Sequence, residues 1–442
     1  MGDEALLVRA AALYIPLAAV VALGWWRRPG RRLVAGATLA TIWNLAALYP
    51  LHLASRHWDW WSYEAVGGLF SGMPVDLYLG WALLWGAVPV LAFPRGRLVV
   101  PVALALWADL VFMPAAAPVV RLGPMWLAGE ALGLSIGLLP GLVLARWTIE
   151  QRHLAARTTL QAVAFAALVL VGATAALEAT GGTWATLGDH PTWVTSTAVQ
   201  VLLVPAAVAL AAVAELVRRG GGTPFPWDPP RRLVTTGPYA YVANPMQLAT
   251  AVILAGGTLL LRNWGVAAVA AASVAFAAGL AAWHEDLLVG DRFGDGWRRY
   301  RASVRTWRPR WQPYVEADAV LYIAAGCEPC STVGAWLQRR RPVGLRLRGA
   351  EDRAGPGLRR ITYVAADGTT ASGIAAVAHA LEHLHLGWAI TGWALRLPGV
   401  GLLAQTIADA VGAGPRDLPA APATDADRRC AATGPPVPNL RQ

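Results

Sequence analysis

Nine long apolar runs constrain this chain more than anything else in it. They lie near residues 5–26, 33–53, 75–94, 98–119, 126–146, 158–177, 194–216, 246–261 and 265–283. A helix needs about 20 apolar residues to cross the hydrocarbon core of a bilayer. Inside that core every backbone N–H and C=O must find its partner within the segment, which selects the helix. Arginine placement orients the runs. Arg27, Arg28, Arg31 and Arg32 follow the first, Arg95 and Arg97 the third, Arg146, Arg152 and Arg157 the fifth, and Arg218, Arg219, Arg231 and Arg232 the seventh. The alternate loops are poor in Arg, and "SRHWDWWSYE" and "EATGGTWATLGDHPTW" carry Trp, the usual interfacial anchor. The pattern predicts nine spans, with the N-terminus outside and the C-terminus in the cytoplasm. The first run lacks a basic segment before it and reads as a first span, not as a cleaved signal.

Composition agrees. The chain is 56% hydrophobic and only 14% charged, against about 25% charged residues in an ordinary soluble domain. The net charge is +10, and all 37 basic residues are Arg. In a membrane protein such an excess marks cytoplasmic loops facing anionic lipid, so membrane lipid and not nucleic acid is the expected partner. A bacterial cytoplasmic membrane is the expected location.

The shape of the chain's polar segments changes near its eighth and ninth runs, which only Arg262 and Asn263 separate. Helices joined so tightly form a hairpin. Its outer ends return to one face, bringing "TTGPYAYVANP" (235–245) together with "HEDLLVGDRFGDGWRRYRASVRTWRPR" (284–310). The first segment is held non-helical by Gly237, Pro238 and Pro245, exposing backbone groups. Tyr239 and Tyr241 add aromatic faces, and Glu285 and Asp286 add carboxylates beside His284. Aromatic faces with carboxylates suit a sulfonium-bearing, adenine-bearing ligand, and an apolar hairpin suits a lipid-soluble acceptor. Blander readings stand beside this one: the tyrosines as belt residues, the carboxylates as a hydrated span end, and Arg298 to Arg310 as a lipid-contacting helix.

Residues 231–310 resemble the catalytic core of the isoprenylcysteine carboxyl methyltransferases and their phospholipid-methyltransferase-like relatives. The resemblance rests on "GPYAYVANPM" (237–246), "HEDLLVGDRFG" (284–294) and "YRASVRTWRPR" (300–310). It implies an enzyme that binds S-adenosylmethionine at the cytosolic face and methylates a lipophilic acceptor, such as an isoprenoid carboxylate, a lipid or a thiol. It implies cofactor binding by Gly237, Pro238, Tyr239, Tyr241, Asn244, Pro245, Glu285, Asp286 and Tyr300, and catalytic roles for His284 and Arg305. The chain departs from the family pattern at Ala243, Gln247, Asp286 and Trp297, where the family usually has Arg, Tyr, Glu and Tyr.

Beyond Val315 the pattern becomes that of a small α/β domain. "AVLYIA", "VGLRLRG" and "RITYVA" read as strands, Asp367-Gly368 as a hairpin turn, and 374–412 as helical. Cys327 and Cys330 form a Cys-x-x-Cys pair after a strand and at the start of a helix, where the helix terminus favours a thiolate. Redox work, a zinc site shared with His379 and His383, and an inert remnant are all compatible with that spacing. The segments 320–337, 363–373 and 386–416 resemble the DCC-type thiol-disulfide oxidoreductase-like family. This implies a thioredoxin-like fold, a redox role for Cys327 and Cys330, and a thiol partner. The expected organisation is therefore an α-helical membrane protein with a C-terminal α/β domain: helices of unassigned role in 1–217, a methyltransferase core in 218–314, a cytoplasmic Cys-x-x-Cys domain in 315–416, and a disordered tail in 417–442. Alternative readings are a membrane-tethered oxidoreductase with a degenerate core, or a non-enzymatic membrane protein. Within the unassigned half, Asp109 and Glu130 fall inside apolar runs, where a carboxylate is a functional candidate by default; the blander reading is an Asp paired with a buried Trp or hydroxyl between helices, the sharper one a polar lining for a substrate path.

Overall fold

A computed structural model describes residues 2–65, 67–225, 228, 230–324, 328–353 and 358–415, and the backbone alone for residues 280, 281 and 284–288. Every apolar run is helical. Among the described residues, six helices are long and apolar enough to cross a membrane: α1 (Asp3–Arg27), α2 (Arg31–Trp58), α3 (Val75–Ala92), α5 (Trp126–Glu150), α6 (Leu154–Ala179) and α7 (Thr192–Gly220). The remaining runs form shorter apolar helices, α4 (Val99–Ala115), α8 (Pro245–Leu261) and α9 (Trp264–Phe276). Helix α10 (Ala282–Ser303) follows and breaks at Gly294, whose φ of 51° and ψ of −120° favour glycine. The chain forms two compact units, one of residues 1–205, 213–234 and 249–297, the other of residues 206–212, 235–248 and 298 onward.

In the first unit α2 packs against α3, α5 and α6. Its buried face follows the helical period through Gly36, Ala40, Asn44, Leu48, Leu51 and Ser55. Helix α5 meets it with glycines one turn apart. A Cβ on Gly133 would lie 3.0 Å from Leu51, one on Gly137 3.1 Å from Asn44, and one on Gly141 2.9 Å from Asn44. Small residues at this spacing let membrane helices approach closely where no hydrophobic force drives them together.

Two of the prolines inside these helices free carbonyls that face a neighbouring helix. Pro140 cannot donate to Ile136 O, four residues back. Leu134–Leu138 widens into a π-turn, and Trp43 Nε1 donates to Ile136 O instead, at 2.8 Å. Pro16 likewise leaves Ala12 O without its helical donor, and α3 covers it with Gly80, where a Cβ would sit 1.9 Å from that oxygen. The turn between α8 and α9 is fixed by Asn263, whose Oδ1 accepts from Val266 N at 3.1 Å and from Thr180 Oγ1 at 3.0 Å. Small strands β1 (Trp61–Tyr63), β2 (Leu69–Phe70), β3 (Met73–Pro74) and β4 (Val120–Leu122) form two antiparallel pairs in the loops of this unit, β1 with β4 and β2 with β3.

The second unit carries a four-stranded sheet. Its strands are β5 (Ala319–Ile323), β6 (Leu345–Gly349), β7 (Thr362–Val364) and β8 (Thr370–Ser372). Their order is β6-β5-β7-β8, with β5 parallel to β6 and antiparallel to β7. The β5-to-β6 connection is α11 (Glu328–Arg339), which buries Gly334 and Leu337. Helices α12 (Ile374–Leu381), α13 (Leu386–Leu395) and α14 (Val400–Ala408) follow β8. Ala319, Leu321, Leu337, Leu345, Tyr363, Ala376 and Leu381 share the core. The residues expected to form a disordered tail lie outside the described residues.

Replacing Gly80 with Ala forces the α1 and α3 backbones apart. It is expected to destabilise the folded protein by about 1–3 kcal/mol, read as a lowered thermal midpoint of the detergent-purified protein.

Candidate functional site

The Gly- and Pro-rich loop that opens the methyltransferase-like segment starts with a tight turn. Gly237 takes φ = 60°, and Pro238 fixes the next position of a 3₁₀ turn over Gly237–Ala240. The loop then pairs through its backbone with the chain that follows α10. Ala243 N donates to Arg305 O at 3.0 Å, Arg310 N to Tyr241 O at 2.9 Å, and Tyr314 N to Ala240 O at 2.8 Å. Tyr300 is buried and donates its hydroxyl to Tyr239 O at 2.8 Å, with its ring edge-on to Tyr314. The first and third motifs of the resemblance are thus one hydrogen-bonded structure.

This places the expected residues in different roles. Gly237 and Pro238 shape the loop. Tyr241 is 0% exposed; its hydroxyl donates to Glu382 O at 2.8 Å, and its ring meets Trp393 edge-on at 5.5 Å. Burial, then the Glu382 charge, raises its phenol above the ordinary value. Asn244 is half-buried at the start of α8 and its carbonyl accepts from Leu248 N, while Pro245 opens the helix. Arg305 joins through its backbone and leaves its side chain exposed; Arg301 and Arg310 brace the same turn by bonding Val304 O and Ser303 O. The side chains of His284, Glu285 and Asp286 lie outside the described residues. Gln247, on the first turns of α8, holds a buried Oε1 with no hydrogen-bond partner.

Sequence reading did not find Glu382, Trp393, Tyr314 or the Trp311–His385 stack, whose rings lie 4.6 Å apart. They sit far from the loop in the chain, and no local spacing connects them to it.

Cys330 occupies the first turn of α11, directly after β5 and its exit loop, packed with Ala324, Ala350 and Leu358. Cys327 lies outside the described residues. The two histidines weighed as zinc ligands have other partners. His383 Nδ1 lies 2.7 Å from Val343 O and must donate to it, so Nε2 accepts from the Tyr363 hydroxyl at 2.9 Å. His379 stacks on Tyr363 and faces Glu382, which also binds Arg396. Among the described residues no three His, Cys, Asp or Glu side chains cluster to hold a metal. Compared with known proteins, the chain matches no family model, no curated protein and no solved structure.

Two predictions follow from these contacts. Tyr241→Phe keeps the ring on Trp393 and loses one hydrogen bond, expected to cost about 0.5–1.5 kcal/mol, whereas Tyr241→Ala costs about 3–5 kcal/mol; chemical denaturation of the C-terminal unit within the full chain measures both. Burial lowers the His383 pKa below its ordinary value of 6.5. The unfolded chain then binds the proton more readily, so the neutral ring's contribution is complete above about pH 6.5 and is lost as pH falls below it. Thermal midpoints at neutral and mildly acidic pH are expected to drop further in the wild type than in His383→Asn.

Proposed function

We propose that the chain is an integral membrane methyltransferase that uses S-adenosylmethionine and acts on a lipophilic acceptor at the cytoplasmic face. The observation that carries this reading is the pairing of loop 237–243 with residues 304–314 beside a buried, unpartnered Gln247 Oε1. A polar atom left bare in such a wall fits a ligand that brings its own N–H or O–H donors. Tyr239, Asn244 and Gln247 would hold the cofactor, with His284, Glu285 and Asp286 as further candidates from the sequence. When bound, S-adenosylmethionine supplies an electrophilic methyl group on a sulfonium. Tyr241 and Tyr300 act behind the wall. With their hydroxyls committed to Glu382 O and Tyr239 O, they hold the loop rigid, and rigid positioning is most of what methyl transfer asks of a protein. A carboxylate or thiolate acceptor needs no strong base, while a hydroxyl or amine would call on His284.

The alternation of Arg-rich loops supports nine passes with the C-terminal unit in the cytoplasm. The sheet order, second strand-first-third-fourth with a helix after the first, supports a thioredoxin-like domain, in which Cys327 and Cys330 would undergo thiol–disulfide exchange with a partner, their dithiol being oxidised as the partner's disulfide is reduced. One observation favours a second reading, a membrane-tethered oxidoreductase with a degenerate core: Tyr241 is committed to packing on Trp393.

Calorimetry with S-adenosylmethionine on detergent-purified protein separates these readings. The wild type is expected to bind, and Tyr239→Ala and Gln247→Leu to weaken binding about tenfold or more, roughly 1.4 kcal/mol. Transfer of labelled methyl into extracted lipid should survive Cys327→Ser. Absence of binding heat in the wild type would sink the methyltransferase reading.

A further inference from the structure

Helices α4 and α5 each bury a carboxyl group that the proposed chemistry does not use. Asp109 on α4 is 0% exposed and Glu130 on α5 is 3% exposed. Trp85 Nε1 on α3 donates to Asp109 Oδ2 at 2.8 Å. The two carboxyl groups are close enough to interact, yet Asp109 Oδ1 and Glu130 Oε1 make no hydrogen bond. Glu130 lines a cavity with about 30 Å³ of space for water. By that measure a water needs roughly 10–15 Å³, so the cavity has room for one or two. Trp61, Tyr63, Trp81, Trp85 and Met113 form much of the rest of its wall.

The neighbouring charged and titratable groups do not supply what the pair lacks. On α1, Arg9 is bound to Asp76 of α3 at 2.6 Å. On α2, His52 Nε2 lies 2.8 Å from Ser71 O, and its ring is 5.6 Å from Tyr63 of β1. Tyr78 of α3 donates to Leu45 O. Two ionised carboxylates buried together would carry two charges and only acceptor oxygens. One proton removes one charge and gives the pair the O–H donor that its bare oxygens need.

We propose that Asp109 and Glu130 form an intramembrane site that binds one proton, held between the two carboxyl groups and reached through the cavity. The donor set favours a proton over an alkali ion, because a metal cation requires a shell of several oxygens whereas here the Trp85 indole N–H already occupies Asp109 Oδ2.

Infrared spectroscopy of the full chain in nanodiscs tests this. The expected result is a protonated-carboxyl C=O band at neutral pH that shifts in D₂O and is lost in the Asp109→Asn/Glu130→Gln double variant. Because that variant could fail to fold, labelling of the wild type with a hydrophobic carbodiimide, which requires a protonated carboxyl, gives a second readout. Mass spectrometry should place the adduct on Glu130 or Asp109, with labelling falling at least tenfold at alkaline pH. A wild type with neither band nor adduct overturns the proposal, as does a band undiminished in a folded double variant. Loss of both signals on adding sodium at fixed pH would instead make this an alkali-ion site.

Discussion

An apolar helix has no water with which to satisfy a backbone carbonyl that a proline strips of its donor. This demand organises the first unit of the protein. Pro140 frees Ile136 O, and the indole of Trp43 reaches across from α2 to take it. Pro16 frees Ala12 O, and α3 presents Gly80 so closely that no side chain fits between them. Each proline would be a defect in an isolated helix. In the packed unit these two freed carbonyls lie against a neighbouring helix, and the glycines of α5 allow α2 a similarly close approach.

The same economy of polar groups shapes the loop at residues 237–245. Its hydrogen-bonding groups are used on residues 300–314 and on the carbonyl of Glu382, so it is part of a built wall. The groups left over then stand out. Gln247 Oε1 in the second unit, and Asn44 Oδ1, Gln161 Oε1, Asp109 Oδ1 and Glu130 Oε1 in the first, are among the buried acceptors without donors. Proteins rarely leave such atoms bare, which is why two of these places carry the proposals made above.

Much of the architecture was legible in the sequence because it follows from periodicity. Apolar runs became helices, and the strand-like stretches "AVLYIA", "VGLRLRG" and "RITYVA" became β5, β6 and β7. The Asp367-Gly368 signal became the turn into β8, with Gly368 at φ = 82°. The pairing of "GPYAYVANPM" with the chain after Tyr300 was expected from the short α8–α9 turn. Less legible was the role of each residue. Tyr241 reads as an open aromatic face in the sequence, but its ring and hydroxyl are both consumed by residues more than a hundred positions away. The loop also bonds to residues 305–314 and packs on Trp393, which places it in one compact unit with the sheet.

The sequence by itself determined that this chain is helical and apolar enough for a membrane, and that a small sheet follows. Those properties depend on local spacing and composition, which need no knowledge of neighbours. Only the tertiary structure decided which tyrosines pack together, which carbonyl Trp43 meets, and that Trp85 both binds Asp109 and lines a cavity with Glu130. Those outcomes depend on close packing between distant segments, where a fraction of an ångström separates a hydrogen bond from a clash.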